Sequence, residues 1–552
     1  MLGSGSRPHP LAFELILNVR LASALLLTAL VFAVRTASAD EPPLRTWGVD
    51  PNPSDAPPAP AVPVAPPAPP PPPMGTPPEG AETSPEPTIV RTPGRVGLRY
   101  TLEGVDVRGN TATLSRVILR YVPFKAGDVL DVDDRELELT RFRLLGTGFF
   151  RDVTLSLRRG SRRGYVVLVV EVAERNTIVV NDVYLGLSAD AEPDGAARPL
   201  TAYGGIDVSE NNLAGTGIKL GGAIALADRQ LGLRTRFADP QIFGTPWTVE
   251  AQLLFNHARD FFGNRDVHVE DATPTGRQQD FAIVTYQRFG GQIGVGHDVS
   301  LSSRLFVDYR LESIDTELPL AASHQRGLDV EPIDFHIHGG SSILSTLRAT
   351  LLHDTRDEPF LPSRGVYVTS QAEASLSPLG SDYPYAKLDV RGSRWFPLSW
   401  GHVLRLEGFA GAVFGDAPLF ERFYVGDLTD LLPDRVLDLA FDRRAAPNLL
   451  DTVIVEERYG TYAAKLSAEY RVPLYRGHRS VYGVDLFGTL GIYGLSTELD
   501  LARPPRGYSG LRKVPVDLTT NIGLRIDTSA GGFVLGASNL LWLIPFRREA
   551  GQ

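Results

Sequence analysis

The feature that most constrains this chain is a two-residue alternation. It recurs from Thr177 almost to the C-terminus, in segments of about ten residues. In Thr461 to Val472, Tyr462, Ala464, Leu466, Ala468, Tyr470 and Val472 share one face, and Lys465, Ser467, Glu469 and Arg471 share the other. In Asp517 to Asp527, Leu518, Ile522, Leu524 and Ile526 oppose Asp517, Asn521, Arg525 and Asp527. In Arg304 to Glu312, Leu305, Val307, Tyr309 and Leu311 oppose Arg304, Asp308, Arg310 and Glu312. Such a period demands strands, whose successive side chains point to opposite faces. A soluble sandwich alternates too. It rarely sets charges of both signs against the apolar face on strand after strand. A membrane barrel wants that arrangement, with lipid outside and a polar lumen inside.

Composition narrows the alternatives. The 552 residues include no cysteine, which excludes disulfides, thiolate metal sites, a cysteine nucleophile and a cysteine-linked lipid anchor. Net charge is −10 and no domain is basic, so nucleic acid is excluded as a partner. Arg20 precedes an apolar run, Leu21 to Val34, and Ala37-Ser38-Ala39 offers a small-x-small cleavage pattern. Residues 1–39 therefore read as a signal peptide, with Asp40 first in the mature chain. The run is about 14 residues, short of the ~20 a membrane helix needs. No other stretch is long and apolar enough, so a membrane-seated form must be a barrel. Residues 40–97 are rich in proline and alanine, and read as a disordered linker, stiff where it adopts polyproline II.

Residues 98–175 read as a small α+β domain. Thr101 to Arg108 alternates and ends at Gly109-Asn110. Thr113 to Tyr121 is expected to be a short helix. Asp133 or Asp134 caps a second, in which Leu137, Thr140, Leu144 and Leu145 share a face. Two strands follow, Phe150 to Arg158 and Tyr165 to Glu174. Beyond them lie fifteen alternating segments, starting near residues 177, 200, 216, 230, 246, 281, 303, 342, 365, 382, 401, 460, 480, 517 and 531. Single-chain bacterial barrels have even strand numbers. Sixteen strands are therefore expected over residues 176–546, with a tail at 547–552.

Several motifs carry a family resemblance. The run Asp354-Thr-Arg356-Asp357, then Pro362 and Gly365, joins two alternating segments as a turn that its charges are expected to keep in water, and it resembles a turn of the BamA/TamA family of outer-membrane assembly barrels. Phe237-Ala-Asp239-Pro240 through Gly244 resembles its early Asp-Pro turn, and Ala468 to Leu474 the strand after its sixth extracellular loop. The order β-α-α-β-β, with Val107-Arg-Gly109-Asn110, Leu145 to Phe149 and Val170-Glu171-Val172, resembles one POTRA (polypeptide-transport-associated) domain. The resemblance implies an all-β transmembrane barrel behind one small α+β POTRA domain. It places the barrel in the outer membrane of a Gram-negative bacterium, with POTRA domain and linker in the periplasm.

The resemblance also implies a function. The chain would assemble, insert or translocate other proteins, without enzymatic chemistry or cofactor. Its partners would be unfolded or nascent outer-membrane or exported proteins, periplasmic accessory proteins and the lipid bilayer. The POTRA edge carrying Phe150, Val153, Thr154, Leu155 and Leu157 would accept an extended segment as an added strand. The alternatives are a dedicated secretion pore or passive channel plugged by the sixth loop, and an anchor to the cell wall. In the family that loop folds into the lumen and carries a Val-Arg-Gly signature whose arginine pairs there. Here Phe423-Tyr-Val-Gly426-Asp427 matches the approach, but Leu431-Leu432-Pro433 stands in the signature's place. Arg435 is the expected substitute, meeting Glu469 or Asp527. No nucleophile elbow, phosphate loop or zinc spacing occurs. Asp334, His336 and His338 read as polar loop, and Glu456-Glu457-Arg458 as a solvated loop end.

Overall fold

The computed structural model describes residues 99–538, apart from 132–133, 189–200, 228, 263–266, 270–281, 319–321, 327–328, 430–434, 438, 441–447, 478 and 503–506. The expected signal peptide, linker and C-terminal tail lie outside the described residues, as does the chain from 539 to 546.

The N-terminal domain runs β1 (Arg99–Arg108), α1 (Ser115–Leu119), β2 (Val129–Asp131), α2 (Arg135–Gly146), β3 (Phe150–Arg159) and β4 (Tyr165–Glu174). Its sheet has the order β2-β1-β4-β3, with β1 parallel to β4 and the other pairs antiparallel. The three-residue β2 is too short to show an alternation, and sequence reasoning passed over it. Asp134 caps α2, accepting from Glu136 N at 3.0 Å. Asp133 lies outside the described residues. The inner face of α2 buries Leu144 and Leu145 against Leu102, Ile118, Phe149, Val153 and Val170, with Leu137 partly buried beside them. A carboxylate fixes the loop that follows β1. Glu174 accepts from Thr111 Oγ1 at 2.6 Å and from the backbone N–H of Thr111, Ala112 and Thr113. Burial opposes ionisation of Glu174, but these donors outweigh it and bring its carboxyl down to about 2.

The barrel sheet holds fifteen described strands, each antiparallel to its sequence neighbour. They are β5 (Ile178–Ser188), β6 (Thr201–Leu213), β7 (Ile218–Ala227), β8 (Gln230–Asp239), β9 (Trp247–Phe262), β10 (Ala282–Asp298), β11 (Ser303–Glu317) and β12 (Gly340–Asp354). β13 (Gly365–Ser375), β14 (Tyr385–Pro397), β15 (Val403–Gly415), β16 (Tyr462–Arg476), β17 (Val481–Ser496), β18 (Val516–Thr528) and β19 (Gly531–Ser538) complete the set. All fifteen begin within three residues of the anticipated starts. A sixteenth strand would have to use residues outside those described. Leu466 (66% exposed), Tyr470 and Ile522 point outward, and Leu518 and Leu524 are half-buried. Glu469, Arg471 and Asp527 face inward and are buried. An apolar outer face with buried inner charge is the reverse of a soluble core and suits a lipid-embedded barrel.

The N-terminal domain lies against the short-turn end. Leu114 N donates to Gly215 O at 3.0 Å, and Asn212 Nδ2 to Thr113 Oγ1 at 2.8 Å. Arg120 Nη2 donates to Thr248 Oγ1, Arg143 pairs with Asp298, and Arg364 pairs with Glu138 at 2.8 Å. Four of the short barrel turns or their flanks thus meet α1, α2 and the loop before α1. The long connections sit at the other end.

Candidate functional site: strand edges and a filled lumen

Two of the strand edges left open among the described residues bear on function. The first is β3, which pairs on one side only, with β4: Val153 opposes Val172, Leu155 opposes Val170 and Leu157 opposes Leu168. Phe150 and Val153 are buried, Leu155 and Leu157 pack partly on the core, and Thr154 is exposed. Arg141 covers the start of this edge, with its Nε donating to Val153 O at 2.7 Å. The outward backbone from Leu155 to Arg159 is the more accessible part.

The second edge is the barrel seam. β5 and β19 stand at opposite ends of the sheet order, and no ladder joins them among the described residues. They meet at the short-turn end, where Val180 N donates to Ala530 O at 2.9 Å. Above that bond, Asp182 and Val183 of β5 and Phe533 and Val534 of β19 line a lumenal cavity of about 610 Å3. Its remaining wall carries cations and carboxylates, including Arg391, Arg405, Glu407, Lys465, Glu469 and Arg525.

The connection from β15 to β16 enters the lumen. Glu421 inserts between two wall arginines: Arg310 Nη1 donates to its Oε1 at 2.9 Å and Arg288 Nη2 at 3.2 Å. Lys387 Nζ donates to Glu421 O at 2.9 Å. Arg288 also pairs with Glu312 at 2.7 Å, and Arg310 with Glu373 at 3.0 Å. Arg288, Arg310 and Lys387 are thus matched by Glu312, Glu373 and Glu421; removing the loop would leave the wall one carboxylate short. Phe420 packs under the Arg288 guanidinium at 4.5 Å and against Tyr286. Further along, Asn256 Nδ2 of β9 donates to Leu437 O at 2.7 Å. Asp517 of β18 accepts from Leu449 N and Leu450 N at 2.8 Å. The loop therefore spans the lumen between distant strands.

Family comparisons agree with this architecture. Residues 212–431 match the family model described as Omp85 superfamily domain. Residues 100–175 match the POTRA model, described as surface antigen variable number repeat. Residues 212–431 thus carry an Omp85 superfamily domain, and residues 100–175 a POTRA domain ahead of it. Outer membrane protein assembly factor BamA of Nitratidesulfovibrio vulgaris is 23% identical over 349 residues, covering 59% of this chain and 37% of that relative. The chain thus spans little more than a third of that relative's length. Among solved structures, BamA from Haemophilus ducreyi lacking POTRA domains 1-3 aligns with a TM-score of 0.42 and 14% identity, covering 82% of each chain. CdiB from Escherichia coli aligns with a TM-score of 0.47 and 12% identity, covering 80% of this chain and 73% of that one. The Omp85 barrel sits in the outer membrane with its POTRA domain in the periplasm. The short-turn end is accordingly periplasmic.

The site residues anticipated from the family fall out unevenly. Gly426 is buried at the start of a short helix, Gly426–Thr429. Arg435 lies in a two-residue strand, Arg435–Val436, and its side chain is outside the described residues, as are 430–434. Its two expected partners have other cations. Glu469 accepts from Arg525 Nε at 3.1 Å, and Asp527 pairs with Arg175 at 3.3 Å. Sequence reasoning missed Glu421; the one signal available was a lone carboxylate beside Phe420, which carries no pattern. It also read Glu457-Arg458 as solvated, whereas both are buried. Ser496 Oγ donates to Glu457 Oε1 at 3.1 Å. Burial, with Asp500 adding repulsion, pushes the Glu457 carboxyl up to about 9. His336 lies 3.7 Å from Asp334, and His338 stacks on Tyr383. No three His, Asp or Glu side chains gather as a metal site among the described residues.

The Asp354–Gly365 turn was read as held in water by its charges, and here the structure corrects the reading. The charges staple its base instead. Arg356 Nε and Nη2 pair with Asp354 at 2.9 and 2.7 Å. Asp357 accepts from Ser363 N at 2.9 Å and from Ser363 Oγ. Gly365 has φ +105°, and a Cβ there would strike the Thr355 carbonyl. The tip between the staples turns inward: Leu361 is 4% exposed, and Pro362 O accepts from lumenal Arg471. An apolar Phe360-Leu361-Pro362 tip gains more from burial than from water.

Proposed function

We propose that this chain assembles, inserts or translocates other proteins at the outer membrane. The observation that carries the reading is the pair of open edges on one molecule: β3 in the periplasm and the β5/β19 seam in the membrane. An unpaired strand edge presents a row of N–H and C=O groups that a second chain can complete. Main-chain pairing tolerates many sequences, which suits a factor with many substrates. An extended segment would add to β3 beyond Arg141, along Leu155 to Arg159. Its strands would then meet the seam, where β5 and β19 would part above the Val180–Ala530 bond. Neither step forms or breaks a covalent bond, so no cofactor or nucleotide is required. The substrates would be unfolded outer-membrane or exported proteins, delivered with periplasmic accessory factors.

A secretion pore for one partner shares the barrel but makes a different demand. Its substrate must pass through the lumen, so the sixth loop, now bonded to β9, β10, β11 and β18, would have to leave. Depletion of the chain separates the two. Levels of many outer-membrane barrels should fall together, by several-fold. Loss of a single exported protein with other barrels unchanged would replace this reading with the pore.

A further inference from the structure

The turn between β12 and β13 leaves one side of the periplasmic mouth and touches strands on the other. Phe360 abuts Gly532 of β19 so closely that a Cβ there would come within 3.0 Å of its ring. Leu361 stands in the same relation, at 2.6 Å, to Gly483 of β17. Pro362 O is bonded by Arg471 of β16. The tip also meets the junction between POTRA domain and barrel. Arg175 directly follows β4, and its guanidinium lies 4.4 Å from the Phe360 ring centroid and 5.2 Å from that of Tyr482. Arg175 Nη2 also donates to Thr528 O at 2.8 Å and pairs with Asp527 at 3.3 Å. Those two residues end β18, immediately before Ala530, the acceptor of the seam bond. The turn's far shoulder meets the POTRA domain a second time. Arg364 pairs with Glu138 of α2 at 2.8 Å and stacks on Phe142 at 5.1 Å.

We propose that residues 354–365 form a strap that couples the position of the POTRA domain to the periplasmic end of the seam, with Phe360 and Arg175 as its positioning residues. The physical argument is stiffness between two weak points. The Asp354 and Asp357 staples make the turn a fixed lever rather than a loose loop. One end of the lever is tied to α2 through Arg364; its tip is wedged between Arg175 and Gly532. Across the seam itself, the described strands share one backbone bond, Val180 N to Ala530 O. Displacing the POTRA domain draws Arg175 off Phe360 and away from Asp527 and Thr528, and the last hairpin loses its support beside that bond. The strap is a property of the resting barrel, so it stands whether the substrate is assembled at the seam or exported through the lumen.

The chain has no cysteine, so an engineered pair is the sole disulfide. Glu138→Cys with Arg364→Cys replaces an ion pair and ties the POTRA domain to the strap on oxidation. Azide-linked spin labels at positions 183 and 534 read the seam distance in the full chain, folded in lipid vesicles. Oxidation should narrow the distance distribution, and reduction should restore it. Adding Phe360→Ala should abolish that response, and Phe360→Tyr, which keeps the ring, should preserve it. Heat-modifiable electrophoretic mobility confirms that each variant is a folded barrel. A seam that ignores oxidation overturns the proposal. So does a Phe360→Ala barrel that is folded and still responds as the parent does.

Discussion

Two segments enter this barrel from opposite ends, and they are held by different physics. The sixth loop comes from the extracellular side and is fixed by charge, with Glu421 completing a set of three cations and three carboxylates in which Arg288 and the carboxylates are buried and Arg310 and Lys387 half-buried. The Asp354–Gly365 turn comes from the periplasmic side, uses Asp354, Arg356 and Asp357 on its own base and ties Arg364 to Glu138 of α2. It inserts an apolar tip. The difference matters for movement. Withdrawing the loop separates buried opposite charges, which is costly in a restricted cavity. Withdrawing the turn exposes two apolar side chains and breaks one hydrogen bond, a smaller and more graded cost. The loop is built to stay unless something replaces Glu421; the turn is built to yield.

Breaking the loop anchor should have the largest effect. Glu421→Leu leaves Arg288, Arg310 and Lys387 with two carboxylates, Glu312 and Glu373, and loss of one partner from a buried pair costs roughly 3–5 kcal/mol. Planar-bilayer recordings should show a steady rise in conductance, and protease should cut the loop from the extracellular side. Unchanged conductance and protection would show that the anchor lies elsewhere. Truncating the turn's apolar tip should come next. Leu361→Ala should cost about 2–3 kcal/mol, at the low end for a buried leucine because the mouth can partly close on the gap. Urea titration of the folded barrel should show the loss, with sixth-loop protease protection unchanged. Loss of loop protection in this variant would mean that the two segments are not independent.

This contrast also explains what could be read from the sequence. The turn is made by neighbours: Asp354 binds Arg356 two residues on, and Asp357 binds Ser363 six residues on. A local motif can announce such a structure, and this one did. Glu421 meets arginines 111 and 133 residues away, and no local pattern encodes which wall strand a loop residue will face. The strands were legible because each repeats its own period against lipid and lumen. Phe360 and Leu361 were misplaced because their burial is supplied by β17 and β19, remote in sequence. Glu457 and Arg458 were taken as solvated for the same reason: a charged tripeptide reads as surface until a strand end such as Ser496 closes over it.

The smallest effect sharpens the contrast through pH. With the loop docked, the Glu457 carboxyl titrates at about 9; released into water it returns to its ordinary value of 4.5. The docked loop therefore binds a proton that the released loop gives up between those values. Docking is strongest below 4.5 and weakens as pH rises toward 9. Protease protection of the sixth loop should decline over that window and become flat in Glu457→Gln. The strap carries Glu358, whose carboxyl is pushed up by burial and the neighbouring Asp357 only to about 7, so a Leu361-dependent transition should follow a curve that ends at lower pH. Protection that increases with pH would contradict the assignment.

The central claim is that the seam between β5 and β19 opens to receive substrate strands. Replacing Val183 and Val534, which line the same cavity from either side of the seam, with cysteine gives a reversible lock in a chain otherwise free of thiols. The locked and reduced forms are compared in vesicles for their ability to speed the folding of an added outer-membrane barrel. The account predicts that oxidation abolishes the acceleration and that reduction restores it. Full acceleration with the seam demonstrably crosslinked would contradict it.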